Sequence, residues 1–451
     1  MERMTNSALS PDSILSTLID TCIQAGASDA DASFSRAEGV SIEVLNGKLE
    51  GIERSESQGV SLRCFFGQQQ ASVAGSDTSS DGLKTLAERC VAMAKAVPED
   101  PYCGLADAAE LARDMPELDL TGDGEIAADV LEREALDAEA AALAVKGVKQ
   151  VAGCGNGWSA TESWVAASNG FSAYKKSGST GLGLAAVAER DGAMERDYES
   201  RSVRRLEDRP APAEIGRIAG ERAVARLAPR KIKTQTGAVI YDRRIAGSLI
   251  GAFLSAISGP SVARGVSFLK DRLNEPVFGA GINLIDDPFR RRGMGSRVHD
   301  GEGRAVAPHH LIEDGVLTRW LLNGASAKQL GLAPNGHASG GFGSNPGVGV
   351  SNAYLQAGDK TPAELMNQLG QGLLVTDMFG PSINPNTGDY SVGVAGFWFA
   401  GGEVQHPVSE VTIAGDLPSM FKRLVPASDL EFRGTRDAPS VLIEDMSIAG
   451  E

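Results

Sequence analysis

A chain of 451 residues is too long for one ordinary hydrophobic core, so roughly two or three domains are expected. Its 42% hydrophobic and 23% charged residues are the balance of a globular protein, neither disordered nor fibrous. A net charge of −16 argues against a nucleic-acid partner, because phosphate binding requires a cationic surface.

In chain order, the opening "MERMTNSALSPDS" has no apolar run of secretory type. No later stretch approaches the ~18 apolar residues of a membrane span, so a soluble cytoplasmic protein is expected. Ser10 followed by Pro11 is a helix start, and "ILSTLIDTCIQAGA" continues it as an apolar stripe. "VSIEVLNGKLEGIERS" is a hairpin about Asn46-Gly47, "VSLRCFFGQQQASVAG" extends the sheet, and "DGLKTLAERCVAMAKAV" is an amphipathic helix. After a linker with one loosely helical piece, the order repeats. A helix from "GEIAADV", hairpins about Asn169-Gly170 and Asp191-Gly192, and the helix "PAEIGRIAGERAVARLA" follow in turn. This predicts two related α/β units, at 10–100 and 123–230.

A third region, 236–450, is larger. It reads as the strand "AVIY", the helix "DRRIAGSLIGAFLSAIS", two strands turning at Asp314-Gly315, and a glycine-rich segment at 335–351 expected to be a mobile loop or substrate lid. A helix capped by Thr361 and Glu364, the strand "GLLVTDM", a hairpin about Gly401-Gly402, a short helix and a final strand complete it. Without steady βαβ alternation, the fold class is α+β, with antiparallel hairpins in a mixed C-terminal domain.

The chemistry is sparse. The five cysteines precede residue 155 and lack metal-type pairing, so reduced thiols are expected. The five histidines, His299, His309, His310, His337 and His406, include none followed by glutamate, so an HExxH-type zinc motif is absent. No serine has the flanking glycines of a nucleophile elbow. "GLGLAA" at Gly181–Ala186 sits in a predicted hairpin, not at a helix start. "DLTGDGEIAADV" has Thr121 and Val130 where a calcium loop needs carboxylates, so Asp123 and Gly124 are read as a helix N-terminus. The basic run Arg290-Arg291-Arg292 is expected to be solvated or salt-bridged.

Four stretches carry more: "NPNTGDYSVGVAGFW", "GEVQHPVSEVTIAGDL", "DGVLTRWLLNGASAKQLGL…NGHASG" and the terminal "SVLIEDMSIAG". Together they resemble the TldD/PmbA family, proposed modulators of DNA gyrase and metallopeptidase subunits, and within it the PmbA (TldE) branch. The resemblance runs over nearly the whole chain. It implies a TldD-like subunit with an HExxxH zinc helix and a cysteine ligand, and a PmbA-like partner lacking both. Here the corresponding helix is "AGSLIGAFLSAISGPSVARG", with Gly251 and Ala252 roughly where His-Glu would stand. No His or Glu lies between Ala246 and Gly265, and no Cys follows Cys154.

The resemblance therefore implies a non-catalytic subunit with no cofactor of its own, completing a heterodimer with a zinc-bearing TldD-like chain. That complex would cleave peptides or partly unfolded proteins, and an isolated chain could form a homodimer. The alternatives are an autonomous peptidase with a nonstandard site around His299, His309 or His337, or a peptide-binding regulator. Asn384, Pro385, Asn386, Thr387 and Gly388 form a motif shared by both branches, which points to turn architecture or cavity lining more than to catalysis. With His337 they are the candidates for a substrate cavity or interface.

Overall fold

A computed structural model describes residues 9–451. The N-terminal half follows its turn chemistry. Ser10 accepts a hydrogen bond from the Ser13 amide, and Pro11 fills the first turn of α1 (Pro11–Gln24). β1 (Asp29–Leu45), β2 (Lys48–Phe66) and β3 (Gln69–Gly75) lead to α2 (Ser80–Ala96). The pattern then recurs as α3 (Ala128–Leu143), β4 (Val148–Ala167), β5 (Ser172–Arg190), β6 (Ala193–Val203) and α4 (Pro212–Ala225). Asn46 and Gly47, and later Asp191 and Gly192, all have positive φ, as tight hairpin turns require.

The two passes do not build separate sheets. Their strands join in the order β3-β2-β1-β4-β5-β6, antiparallel throughout, with β1 and β4 paired from Asp31↔Ala167 to Val44↔Cys154. Each pass contributes a meander whose first strand is central. One end of β1 (Ala30, Ala32, Phe34) packs with α1 and α2, and the other (Val40, Ile42, Val44) packs with α3 and α4. Between the two helix pairs the same face is polar, lined by Arg36, Glu38, Glu56 and Glu162.

The linker is not a free tether and contains no helix. Its Ala106, Ala112, Leu118 and Leu120 are buried, and the Ala112 amide donates to Gly303 O across the domain boundary. Asp119 pairs with Arg205, Arg291 and Arg292, and Arg205 and Arg292 hold its carboxyl down to about 2. Arg290 pairs with Asp437, so the basic run is salt-bridged. Asp123 does not start α3. That helix is capped by Ala127 without a side-chain bond, and Asp123 instead accepts from the Leu206 amide at 2.6 Å.

The C-terminal domain contains β7 (Gln235–Tyr241), α5 (Arg243–Ala256), α6 (Gly259–Ala263), β8 (Leu284–Asp286), β9 (His309–Glu313), β10 (Val316–Leu317) and α7 (Gly324–Leu330). β11 (Ala338–Ser339), β12 (Gly347–Val348), β13 (Ala353–Leu355), α8 (Pro362–Leu369), β14 (Gln371–Ile383), β15 (Asp389–Ala400) and β16 (Glu403–Asp416) follow. The chain ends with α9 (Leu417–Arg423), β17 (Val425–Pro426), β18 (Arg436–Asp437) and β19 (Val441–Ala449). Pairings β7–β14, β14–β15, β15–β16, β16–β19 and β19–β7 close a ring of strands, with only β7–β14 parallel. Closure leaves no long free edge. α5 and α9 share its core, where Phe253, Phe278 and Phe421 meet at centroid distances of 4.7–5.9 Å. A second sheet, β10-β9-β8-β13-β18, packs into the same core.

Candidate functional site

The helix that the sequence aligns with a zinc motif is α5. Asp242 caps it, accepting from the Arg244 amide at 2.8 Å. Ala246, Leu249, Ile250, Phe253 and Leu254 face the core. Gly247 and Gly251 face β18 instead. A Cβ at Gly247 would stand 2.7 Å from Arg436 O, and one at Gly251 would stand 3.3 Å from the Arg436 guanidinium. Beside them lies a depression of about 340 Å³ lined by Gly251, Ser255, Ser258, Val348, Thr435 and Arg436. The Ser255 hydroxyl donates to Gly251 O, one turn back in the helix.

The 335–351 segment reaches this depression through Val348, a proximity not apparent from sequence spacing. It is pinned, contrary to the expectation of a mobile lid. The Arg297 guanidinium donates to Gly336 O, Ala338 O and Gly349 O, tying both ends of the segment together. At the tip, Phe342 stacks on Phe171 at 5.3 Å, and the Gly343 amide donates to Asp31 at 2.6 Å. Gly343 has φ +80, and a Cβ there would lie 2.3 Å from the Ser61 backbone, so only glycine lets the loop approach the sheet this closely. Asp31 is simultaneously in a buried ion pair with Arg63.

His337 is 2% exposed. Its Nδ1 donates to Asn335 Oδ1 at 3.0 Å, and Nε2 lies 3.4 Å from Asp286 Oδ2, a carboxylate that also accepts from the Ser351 amide. Enclosed in this way, His337 anchors the segment and lines no open surface. His309 stacks near it at 5.7 Å, and burial, Arg319 and His337 push its pKa down to about 4. His299 donates through Nδ1 to Asp300 O, and its pKa is held below the usual range mainly by burial. His310 is beside Glu313, on the other side of its strand. These four histidines do not converge.

Asn384, Pro385, Asn386 and Thr387 are exposed, and Gly388 is buried. They connect β14 to β15. Asn384 Oδ1 accepts from the Asn386 amide, Thr387 donates to Asp389 at 2.7 Å, and Pro385 O accepts from the Phe268 amide. Gly388 has φ +86 and its α-carbon is against Pro418, where a Cβ would clash at 2.6 Å. The motif thus builds a rigid turn. Phe379 and Ile383 stand exposed beside it, at 51% and 39%.

Three consecutive matches cover this architecture: PmbA/TldA metallopeptidase domain 1 at 30–94, the central domain at 123–227, and the C-terminal domain at 234–450. The chain belongs to the PmbA/TldD metallopeptidase family, in its PmbA/TldE branch. It is 32% identical over 445 residues to Metalloprotease PmbA of Escherichia coli O157:H7, an alignment spanning 97% of this chain and 96% of that one. It is also 32% identical over 441 residues to the Metalloprotease PmbA homolog of Haemophilus influenzae, spanning 97% and 95%. A solved structure from Bacteroides thetaiotaomicron, described as a candidate modulator of DNA gyrase, matches with a TM-score of 0.90 at 23% identity, over 98% of this chain and 99% of that one. TldE from Thermococcus kodakarensis matches with a TM-score of 0.85 at 19% identity, over 96% and 99%. At these identities the structural matches establish a shared fold.

The zinc that the family name implies needs imidazole, thiolate or carboxylate ligands converging at about 2.0–2.3 Å. The depression beside α5 offers hydroxyls, an exposed guanidinium and glycine. The residues present do not fit the metal.

Proposed function

We propose that this chain is the non-catalytic subunit of a cytoplasmic metallopeptidase, completed by a TldD-like chain that carries the zinc and cleaves peptides or partly unfolded proteins. The observation that carries the reading is the face of α5. Gly247 lies so close to Arg436 O that it has no room for any side chain, and Gly251 brings no ligand atom and faces the Arg436 guanidinium. A cation beside a ligand position opposes Zn²⁺ directly. No helix among the described residues is long and apolar enough to cross a membrane, which is compatible with a cytoplasmic location.

The partner surface we assign is the Asn384–Thr387 turn with Phe379 and Ile383. It joins a rigid, polar tip to exposed apolar side chains, the composition of a subunit contact or chamber wall. The test is to purify the chain alone and together with a TldD-like partner, measuring zinc and cleavage of an unfolded protein in each. Zinc and cleavage are expected only with the partner. About one zinc per isolated chain, with cleavage abolished by a chelator, would overturn the reading. Replacing Asn384 and Thr387 by alanine is expected to lower activity of the pair without removing its zinc.

A further inference from the structure

A cleft of about 450 Å³ separates the N-terminal sheet from the C-terminal domain, on the sheet face opposite the helices. Ser163, Val165, Ala173 and Lys175 of β4 and β5 form its floor, and Arg297–Gly301 with Gly340–Phe342 form its far wall. The charges around it are unusual for a chain with 59 acidic and 43 basic residues. Among the described residues Lys175 donates only to Ser296 O, at 3.4 Å. Arg204 donates to Gly178 O and Met294 O, and Arg297 to the three carbonyls named above. Every hydrogen bond of these three cations goes to a main-chain oxygen. Among the described residues none of them has a carboxylate within ion-pair distance.

The nearby carboxylates hydrogen-bond elsewhere, and Asp286 and Asp300 act on Arg297 only through space. Asp300 accepts from the amides of Glu302, Arg304 and Ala338, Glu117 from that of Asp119, and Glu162 binds Tyr174 and Lys176. Lys175 is exposed to the cleft yet surrounded by protein. Burial first, then Arg204 and Arg297, hold its ammonium below the usual lysine range. An anion at this point would relieve that repulsion. Phe342, Val165 and Met115 give the same cleft apolar walls.

We propose that this cleft binds the carboxylate of a short peptide, with Lys175 donating to its oxygens, Arg204 and Arg297 supplying the field from behind, and the Phe342 side holding the adjoining apolar residue. One ammonium with donors to spare matches the two oxygens of a carboxylate. A phosphate presents more oxygens than one ammonium can serve, and the Nη groups of both buried guanidiniums already donate to the main chain. The carboxylate follows from the charges and donors of the cleft. Choosing a peptide as its carrier rests on the metallopeptidase-subunit reading, and deepens it.

The test uses the full chain alone, without partner or zinc, so its failure is distinct from failure of that reading. An N-terminally labelled apolar peptide is titrated by fluorescence anisotropy in three forms: free acid, C-terminal amide, and amide with an internal glutamate. The free acid should bind at least about 10-fold more tightly than the plain amide, the range of one charged hydrogen bond. Lys175→Met should lose a similar factor with an unchanged circular dichroism spectrum, and Lys175→Arg should retain binding. Equal binding by the free acid and the glutamate amide supports the site and assigns a side chain as a second source of the carboxylate. The proposal is overturned if acid and plain amide bind alike, if neither binds, if Lys175→Met binds like the unaltered chain, or if inorganic phosphate competes as well as the peptide acid.

Discussion

The depression beside α5 and the cleft at Lys175 lie in one chain and differ in what chemistry their linings offer. The first occupies the place where the family resemblance expects a catalytic helix, and it holds glycines packed on Arg436. The second has no motif at all, and it gathers cations with no carboxylate within ion-pair distance among the described residues. Position in a fold therefore does not confer chemistry. Side-chain chemistry does: the α5 depression offers no metal ligand, and the cleft offers the Lys175 ammonium.

The largest effect should come from the contact that holds the cleft wall to the sheet. Asp31→Asn removes the charge facing buried Arg63 and weakens the acceptor for the Gly343 amide. Breaking one side of a buried pair costs roughly 3–5 kcal/mol, so denaturant unfolding should shift by about that amount. Hydrogen exchange should rise at the loop tip more than around α5. Uniform exchange across both regions would show that the two are not separable.

A smaller, sharper test compares two glycines one helical turn apart. Gly247→Ala places a Cβ against an immobile carbonyl, and should destabilise by about 1–2 kcal/mol net of the helix-propensity gain. Gly251→Ala meets the far end of an exposed arginine, which can move, so the result should be neutral or stabilising by up to about 1 kcal/mol. Equal costs in urea melts would mean that Arg436 is not what shapes the α5 face.

The smallest effect concerns His309, at the base of the segment that connects both regions. Its folded pKa is about 4 against the usual 6.5, so between those values the unfolded chain takes up a proton that the folded chain refuses. Its contribution is fully present above pH 6.5 and is lost as pH falls toward 4. The loss should be on the order of 1 kcal/mol after discounting partial exposure, and His309→Asn should flatten that part of the stability–pH curve. An unchanged curve in the variant would remove His309 as its source.

Much of the architecture was legible because local chemistry specifies it. Asn46-Gly47 and Asp191-Gly192 demand tight turns, Ser10-Pro11 and Thr361 with Glu364 mark helix starts, and the repeated order of elements in the first half is visible as pattern. That 246–265 holds no His, Glu or Cys was equally plain, since a residue type that is absent needs no coordinates. Other features needed the tertiary structure, because they depend on pairs far apart in sequence. β1 pairs with β4 across more than a hundred residues, merging two predicted units into one sheet. Gly343 meets Asp31, so a glycine-rich stretch expected to move is held by a buried charge. Asp123 leaves its own helix for the Leu206 amide. Lys175, Arg204 and Arg297 are unremarkable in the sequence, since each basic residue could find one of many acids. Only the packed chain shows that their hydrogen-bond partners are carbonyls, with no carboxylate in direct contact beside the cleft. Sequence specifies which groups exist and which local turns they favour, and long-range packing decides which charges are left without a counter-charge.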